Sequence, residues 1–215
     1  MIEVKKFVFN PFLENTYVIW SDENNEAMVI DPGCFSEEEE NELTSFIAQR
    51  KLNVKYLITT HCHIDHIFGC AHIKEKYNPV FIIPEHDLQL LKNVKIQAEM
   101  FGVEIKIPPL PDLYLNEDIS LSLNQSHINF IFTPGHTPGE FCIYLPKEKI
   151  LFSGDVLFRE SIGRTDLWGG SYEDLIKSIK DKLLVLPIDV RVFPGHGEET
   201  TIGEEKLKNP FLINN

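Results

Sequence analysis

The stretch 56–69, YLITTHCHIDHIFG, limits what this chain can be more than any other part of it. Tyr56, Leu57 and Ile58, continued by Thr59 and Thr60, form a β-favouring run. Three histidines and an aspartate then fall within six residues: His61, His63, Asp65 and His66. Along extended backbone alternate side chains share a face, so His61 and His63 point one way and Cys62 the other. A turn towards a helix then lets Asp65 and His66 reach a neighbouring point. Imidazole and carboxylate at this density suit a borderline cation: zinc, iron or manganese. A solvated histidine-rich turn explains the stretch poorly, because it caps an apolar strand and runs into Ile67, Phe68 and Gly69.

A chain of 215 residues suffices for one sizeable α/β domain, read here as a single domain over 1–215. Its net charge of −13, with no basic stripe to offset it, disfavours nucleic acid or an anionic membrane as partner. Much of the acid is local: Glu37 to Glu40 suit a first helical turn. No apolar run approaches the ~18 residues of a membrane span, and MIEVKKFVFN lacks the apolar core of a signal peptide. Cys34, Cys62, Cys70 and Cys142 form no CxxC pair and no disulfide framework. The expectation is a cytoplasmic protein, monomeric or a small homo-oligomer, acting on a small molecule.

Apolar runs at 1–9, 17–20 and 27–30 read as an antiparallel meander closed by a turn at Asp31-Pro32-Gly33. Asp31 is expected to form that turn rather than face the site. Ser36 suits the N-cap of a helix to about Arg50. A helix from about Ile64 to Tyr77 should follow the histidine strand, then a strand over 79–83 and a helix opened by Pro84. Pro108, Pro109 and Pro111 make 102–118 a loop. His72 and His86 lack ligand-like neighbours, and His127 opens its strand at the end away from the site, so all three are left out of it. Tyr144 and Phe158 are assigned to the core.

Four strand ends repeat one event. The first delivers His61; 129–132 runs into TPGHTPG and delivers His136; 149–152 runs into SGD and delivers Asp155; 190–193 runs into PGHG and delivers His196. Any one alone reads as a core histidine or a turn aspartate, but ligand sites in α/β domains gather where strands end. His61, His63, Asp65, His66, His136, Asp155 and His196 are too many for one tetrahedral zinc and suit two divalent ions sharing a carboxylate. A closed structural site needs only four ligands, so a binding protein without turnover fits less well.

These residues resemble the metallo-β-lactamase superfamily, through HxHxDH at 61–66 and the strand-end His136, Asp155 and His196, over nearly the whole chain. The resemblance implies an α/β fold of αββα type, two mixed β-sheets packed face to face with helices outside. It also implies one metal on His61, His63 and His136, a second on Asp65, His66 and His196, and Asp155 bridging. The ions would be zinc, with iron or manganese as alternatives.

Within the superfamily the chain looks most like glyoxalase II, the hydroxyacylglutathione hydrolases, in a short form without the C-terminal helical domain. ENTYVI at 14–19, SGDVLF at 153–158 and EEKLKNPFL at 204–212 carry that likeness. Where glyoxalase II usually has a lysine and a tyrosine against glutathione, this chain has Gly163-Arg164-Thr165-Asp166, and Glu198 replaces a further tyrosine.

The activity so implied is cleavage of a 2-hydroxyacyl thioester, similar to S-lactoylglutathione, by a hydroxide held between the metals and oriented by Asp65. A thiol of pKa near ~8.5 leaves as thiolate without a strong general acid, and the site is expected to hold no spare carboxylic acid. Arg164 either binds a substrate carboxylate bidentately or pairs with Asp166. The GRTD stretch also resembles persulfide dioxygenases of the same superfamily, which use one iron, here on His61, His136 and Asp155. Hydrolysis of β-lactams or phosphodiesters is reachable on the same metal set.

Overall fold

A computed structural model describes residues 1–213. The amino-terminal runs form the expected antiparallel meander: β1 (Ile2–Phe9), β2 (Glu14–Ser21) and β3 (Glu26–Ile30). Three parallel strands extend it, β4 (Asn53–Ile58), β5 (Val80–Pro84) and β6 (Leu113–Leu115), giving a mixed six-stranded sheet in the order β1-β2-β3-β4-β5-β6. The second sheet comes from later in the chain: β7 (Leu121–Leu123), β8 (Ser126–Phe132), β9 (Phe141–Leu145) and β10 (Ile150–Gly154). After a hairpin of β11 (Leu157–Phe158) and β12 (Ser161–Ile162), β13 (Arg191–Pro194) and β14 (Thr200–Thr201) complete it. Its order is β14-β13-β10-β9-β8-β7, with only β10 and β13 parallel.

Alternation along the strands explains the layering. On β2, Tyr17 and Ile19 face the second sheet and pack with Ile143, Phe152 and Phe193, while Val18 and Trp20 face the helices. All eight residues of β2 are buried, because both of its faces are covered. Helices α1 (Glu37–Gln49) and α2 (Cys70–Tyr77) cover the first sheet through Leu43, Ile47 and Ile73. On the far side Leu175 and Ile179, at 172–183, pack against Leu151 and Val192. The αββα sandwich expected from the resemblance is the fold observed. No helix of the described residues is long and apolar enough to cross a membrane.

Helix α1 begins as read from sequence: the Ser36 hydroxyl accepts from Glu39 N, and the Glu39 carboxylate accepts from Ser36 N. Three local readings need correction. The expected helix from Ile64 is broken into a 3₁₀ turn, Ile64–His66, and α2. Ile64 N is taken by the Gln97 side chain and Gly69 N by Pro32 O, which hold 64–69 off a helical path. Pro84 does not open a helix; it closes β5 by pairing with Leu115, and a 3₁₀ turn follows at Glu85–Asp87. The proline-rich loop contains β6, a short edge strand pinned where the Asp112 carboxylate accepts from Phe81 N and Lys74 Nζ, each at 2.7 Å.

Candidate metal centre

The carboxyl ends of β4, β8, β10 and β13 open on one edge of the sandwich, and each delivers the side chain read from its sequence. His61, His63 and His136 present three ligand atoms within 4.8 Å of one another, and Asp65, His66 and His196 present another three. Asp155 stands between the groups. Its Oδ2 lies 3.5 Å from His136 Nε2 and 3.6 Å from His196 Nε2, and its Oδ1 lies 3.5 Å from His66 Nε2. Spacings of ~3.3 Å are expected between oxygen and nitrogen ligands sharing a tetrahedral cation at ~2.0–2.1 Å.

The far nitrogens of His61, His136 and His196 are hydrogen-bonded, which turns the other nitrogen of each inward. His136 Nδ1 donates to Arg164 O at 2.7 Å, and His196 Nδ1 lies 3.1 Å from Phe12 O. His61 Nδ1 is 3.1 Å from Thr60 Oγ1 and 3.5 Å from Glu140 Oε1. His66 Nδ1 is 3.2 Å from Asp31 Oδ2. The inward atoms His61 Nε2, His66 Nε2 and Asp155 Oδ1 are buried and have no hydrogen-bond partner. Orphaned polar atoms are costly in an interior, so the cluster fits a cation that all three would face.

Two backbone features bring the strand ends this close. Gly195 lies flat against the cluster; a Cβ there would stand 2.3 Å from Asp155 Oδ1 and 2.8 Å from His66. Gly154 has φ of +51°, turning the chain so that Asp155 follows β10 into the site. From the other sheet the ENTY stretch of β2 grips the PGHG loop. Asn15 N donates to Gly195 O, the Asn15 amide to Pro194 O and Gly197 O, and the Tyr17 hydroxyl to Pro194 O at 2.7 Å.

Charge is balanced across the cluster. Burial opposes a charge on His66, but the carboxylates of Asp65, Asp155 and Asp31 outweigh it and hold the pKa well above that of ordinary histidine. Burial likewise opposes ionisation of Asp155, and His66, His196 and His136 reverse it, so its pKa is lowered. Burial, with the neighbouring imidazoles, pushes His61 well down, and it takes His63 to about 3. Both imidazoles are neutral at physiological pH, the form that can hold a metal.

Four carboxylates around the site were not assigned to it from sequence. Asp31 forms its turn, with φ of +48°, and also faces the site: Thr60 N and Thr60 Oγ1 donate to it at 2.6 and 2.7 Å beside His66. Glu14 and Glu140 are fully buried behind His66 and His61, and burial raises the pKa of each well above the carboxylate range. The expectation of a site without spare carboxylic acids is therefore wrong. Glu140 Oε1 accepts from Asp155 N at 2.7 Å. Asp87 joins two ligand loops, accepting from Cys62 N, Thr137 Oγ1 and Gly139 N. The only signals in sequence were positional: Glu14 opens ENTYVI and Glu140 follows TPGHTPG.

The cluster floors an open cavity of about 380 Å³ walled by Phe12, Phe101, Phe158, Ile162 and Leu167. Phe158 belongs to this wall, not the core, because the β11–β12 hairpin turns Leu157 inward and leaves the Phe158 ring 6.3 Å from His196. Tyr144 packs in the helix-side core as expected. Arg164 lines the cavity, and its Nε and Nη2 donate to Asp166 at 2.7 and 2.8 Å, the ion-pair alternative left open above. Cys62 points away into the core, and His72 pairs with Glu40.

This fold and this strand-end cluster define a class, and a family model of the metallo-β-lactamase superfamily matches residues 9–196. The chain belongs to that superfamily. It is 40% identical over 203 residues to the hydroxyacylglutathione hydrolase GloC of Haemophilus influenzae, covering 94% of this chain and 93% of the relative. The BLEG-1 B3 metallo-β-lactamase superposes with a TM-score of 0.90 at 34% identity, covering 99% of this chain and 100% of that one. TTHA1623 in a di-iron-bound form gives 0.86 at 35% identity, covering 97% and 100%.

Proposed function

We propose that the protein is a two-metal hydrolase of 2-hydroxyacyl thioesters similar to S-lactoylglutathione. The observation that carries this is the convergence of two triads, His61-His63-His136 and Asp65-His66-His196, on Asp155 beneath an open cavity, with His61 Nε2, His66 Nε2 and Asp155 Oδ1 buried and unpartnered. The hydroxyacylglutathione hydrolase name of the 40% identical relative supports the substrate class, and the di-iron form of TTHA1623 supports two ions. Two divalent cations held there would ionise water near neutral pH and polarise the thioester carbonyl.

The chain's own residues supply the rest. Asp65 Oδ2, 3.2 Å from His196 Nε2 at the cavity floor, accepts a hydrogen bond from the attacking water and orients it. Phe12, Phe101 and Phe158 exclude bulk water from one side, which strengthens charge interactions at the reacting carbonyl. Glu14 and Glu140 lie behind the imidazoles and outside the cavity lining, so neither protonates the leaving group. The thiol departs as thiolate, its pKa of ~8.5 needing no acid. Arg164 contributes to the substrate wall and, through its carbonyl, fixes the tautomer of His136.

The persulfide dioxygenase reading would leave Asp65, His66 and His196 without use, although they form a complete triad. The test is turnover of S-lactoylglutathione by zinc-loaded protein under anaerobic conditions. Hydrolysis there supports the proposal; oxygen uptake with glutathione persulfide by iron-loaded protein, without thioester cleavage, would overturn it.

A further inference from the structure

A second cavity, of about 390 Å³, stands beside the first and plays no part in the chemistry above. Its apolar lining is Leu90, Ile96, Met100 and Trp168, with Gln89, Asn93 and Gln97 as the polar members. The two cavities are walled by the same two segments. Helix 94–101 gives Phe101 to the first and Met100 to the second; the turn after Arg164 gives Leu167 to the first and Trp168 to the second. Trp168 is 60% exposed, Met100 69% and Ile96 55%. Large apolar side chains gathered at this exposure mark a binding surface rather than chance.

The floor of this second cavity is bonded to the metal loop. The Gln97 amide donates to Cys62 O and Leu90 O, and its carbonyl accepts from Ile64 N, so it clasps the segment that carries His61, His63 and Asp65. The charges point the same way. Among the described lining residues of both cavities the one lysine or arginine is Arg164, and Asp166 holds it bidentately. Arg159, nearby in the chain, pairs with Glu198. A carrier thiol recognised through its carboxylates would find no uncommitted cation in these walls, whereas an apolar arm finds a matched surface.

We infer that the second cavity is the subsite for an apolar arm on the carrier thiol, which assigns the substrate class as 2-hydroxyacyl thioesters of lipophilic thiols. The inference rests on the thioesterase reading, because a short, polar 2-hydroxyacyl group leaves only the thiol to supply the arm. A cavity of this size suits a group as large as a phenylalkyl chain.

The test uses zinc-replete protein and a non-hydrolysable probe, 4-phenylbutyl methyl sulfide. Trp20 is buried, so the exposed Trp168 is the indole able to report contact with the probe. A saturable fluorescence change, lost in Trp168→Phe, is expected. In parallel, the lactoyl thioester of 4-phenylbutanethiol should exceed that of ethanethiol in kcat/KM by about tenfold, the discrimination an apolar pocket gives. Ile96→Asp should reduce that preference to roughly twofold or less as apolar contact is lost.

A silent Trp168 together with a preference for the glutathione thioester would overturn the subsite. So would a silent Trp168 in a protein that dimerises through this face and becomes monomeric on Trp168→Ala. A saturating probe with no thioester cleaved would leave the subsite standing and sink the hydrolase reading instead.

Discussion

Asp155 is the residue on which the two triads depend, since its Oδ2 approaches a nitrogen of each group, in His136 and His196, and its Oδ1 approaches His66. Asp155→Ala should therefore lose both metals and activity together, while His196→Ala, at the open side of the cluster, should cost mainly the second metal. Elemental analysis of the two variants separates these outcomes, and full metal content in Asp155→Ala would contradict the bridge. Glu140 gives a different expectation, because burial pushes its carboxyl pKa up while Oε1 accepts from Asp155 N. Glu140→Gln keeps an acceptor and should change stability by less than about 1 kcal/mol, whereas Glu140→Ala strands a buried N–H at about 1–3 kcal/mol. Urea denaturation of both variants checks it. The seven inward side chains were legible because metal chemistry demands particular residue types just after apolar strands. Glu14, Asp31, Asp87 and Glu140 were not, because a carboxylate in a chain with 33 acidic residues carries no mark of burial.

At the scale of elements, the site is two loops held in register, and Asp87 is the clasp. Its Oδ2 takes Cys62 N and Thr137 Oγ1, and its Oδ1 takes Gly139 N, joining the loop of His61 and His63 to that of His136. Burial pushes the Asp87 carboxyl up to about 6 from 3.8, even though those three donors pull it down. The folded protein thus holds a proton between about pH 4 and 6 that the unfolded chain releases, so this group's stabilising contribution falls as pH rises through that window, by about 3 kcal/mol in all. Asp87→Asn has no such titration and loses one acceptor, at about 1–3 kcal/mol. Its stability should lie closest to wild type above pH 6, with the gap widening towards pH 4; parallel curves in urea melts across that range would contradict the assignment. The strands were legible because their periodicity is imposed by burial on one or both faces. The break at 67–69 was not, because it is imposed by Gln97 and Pro32, residues distant in sequence that capture two backbone N–H groups. Phe158 was misplaced for a related reason: an apolar residue in a two-residue hairpin strand carries no facing signal of its own.

For the whole molecule, the two sheets come from successive parts of the chain and pack face to face, with the cluster at one edge of the sandwich. The contacts of Asn15 and Tyr17 with the 194–197 loop lock that packing to the cluster. A cation bound there ties both sheets together, so its removal should weaken the fold as well as the chemistry. A chelator should lower the melting temperature and zinc should restore it. The linkage amounts to about 4 kcal/mol when free metal exceeds its dissociation constant a thousandfold. An unchanged melting temperature after verified metal removal would contradict that coupling. Two cations sharing Asp155 are the core of the proposed chemistry, and metal content per chain tests them most directly. After metal-replete expression, elemental analysis with native mass spectrometry should give two equivalents of divalent metal, of zinc, iron or manganese in total. One equivalent at saturation, with Asp65, His66 and His196 unliganded in a crystal of that protein, would contradict it.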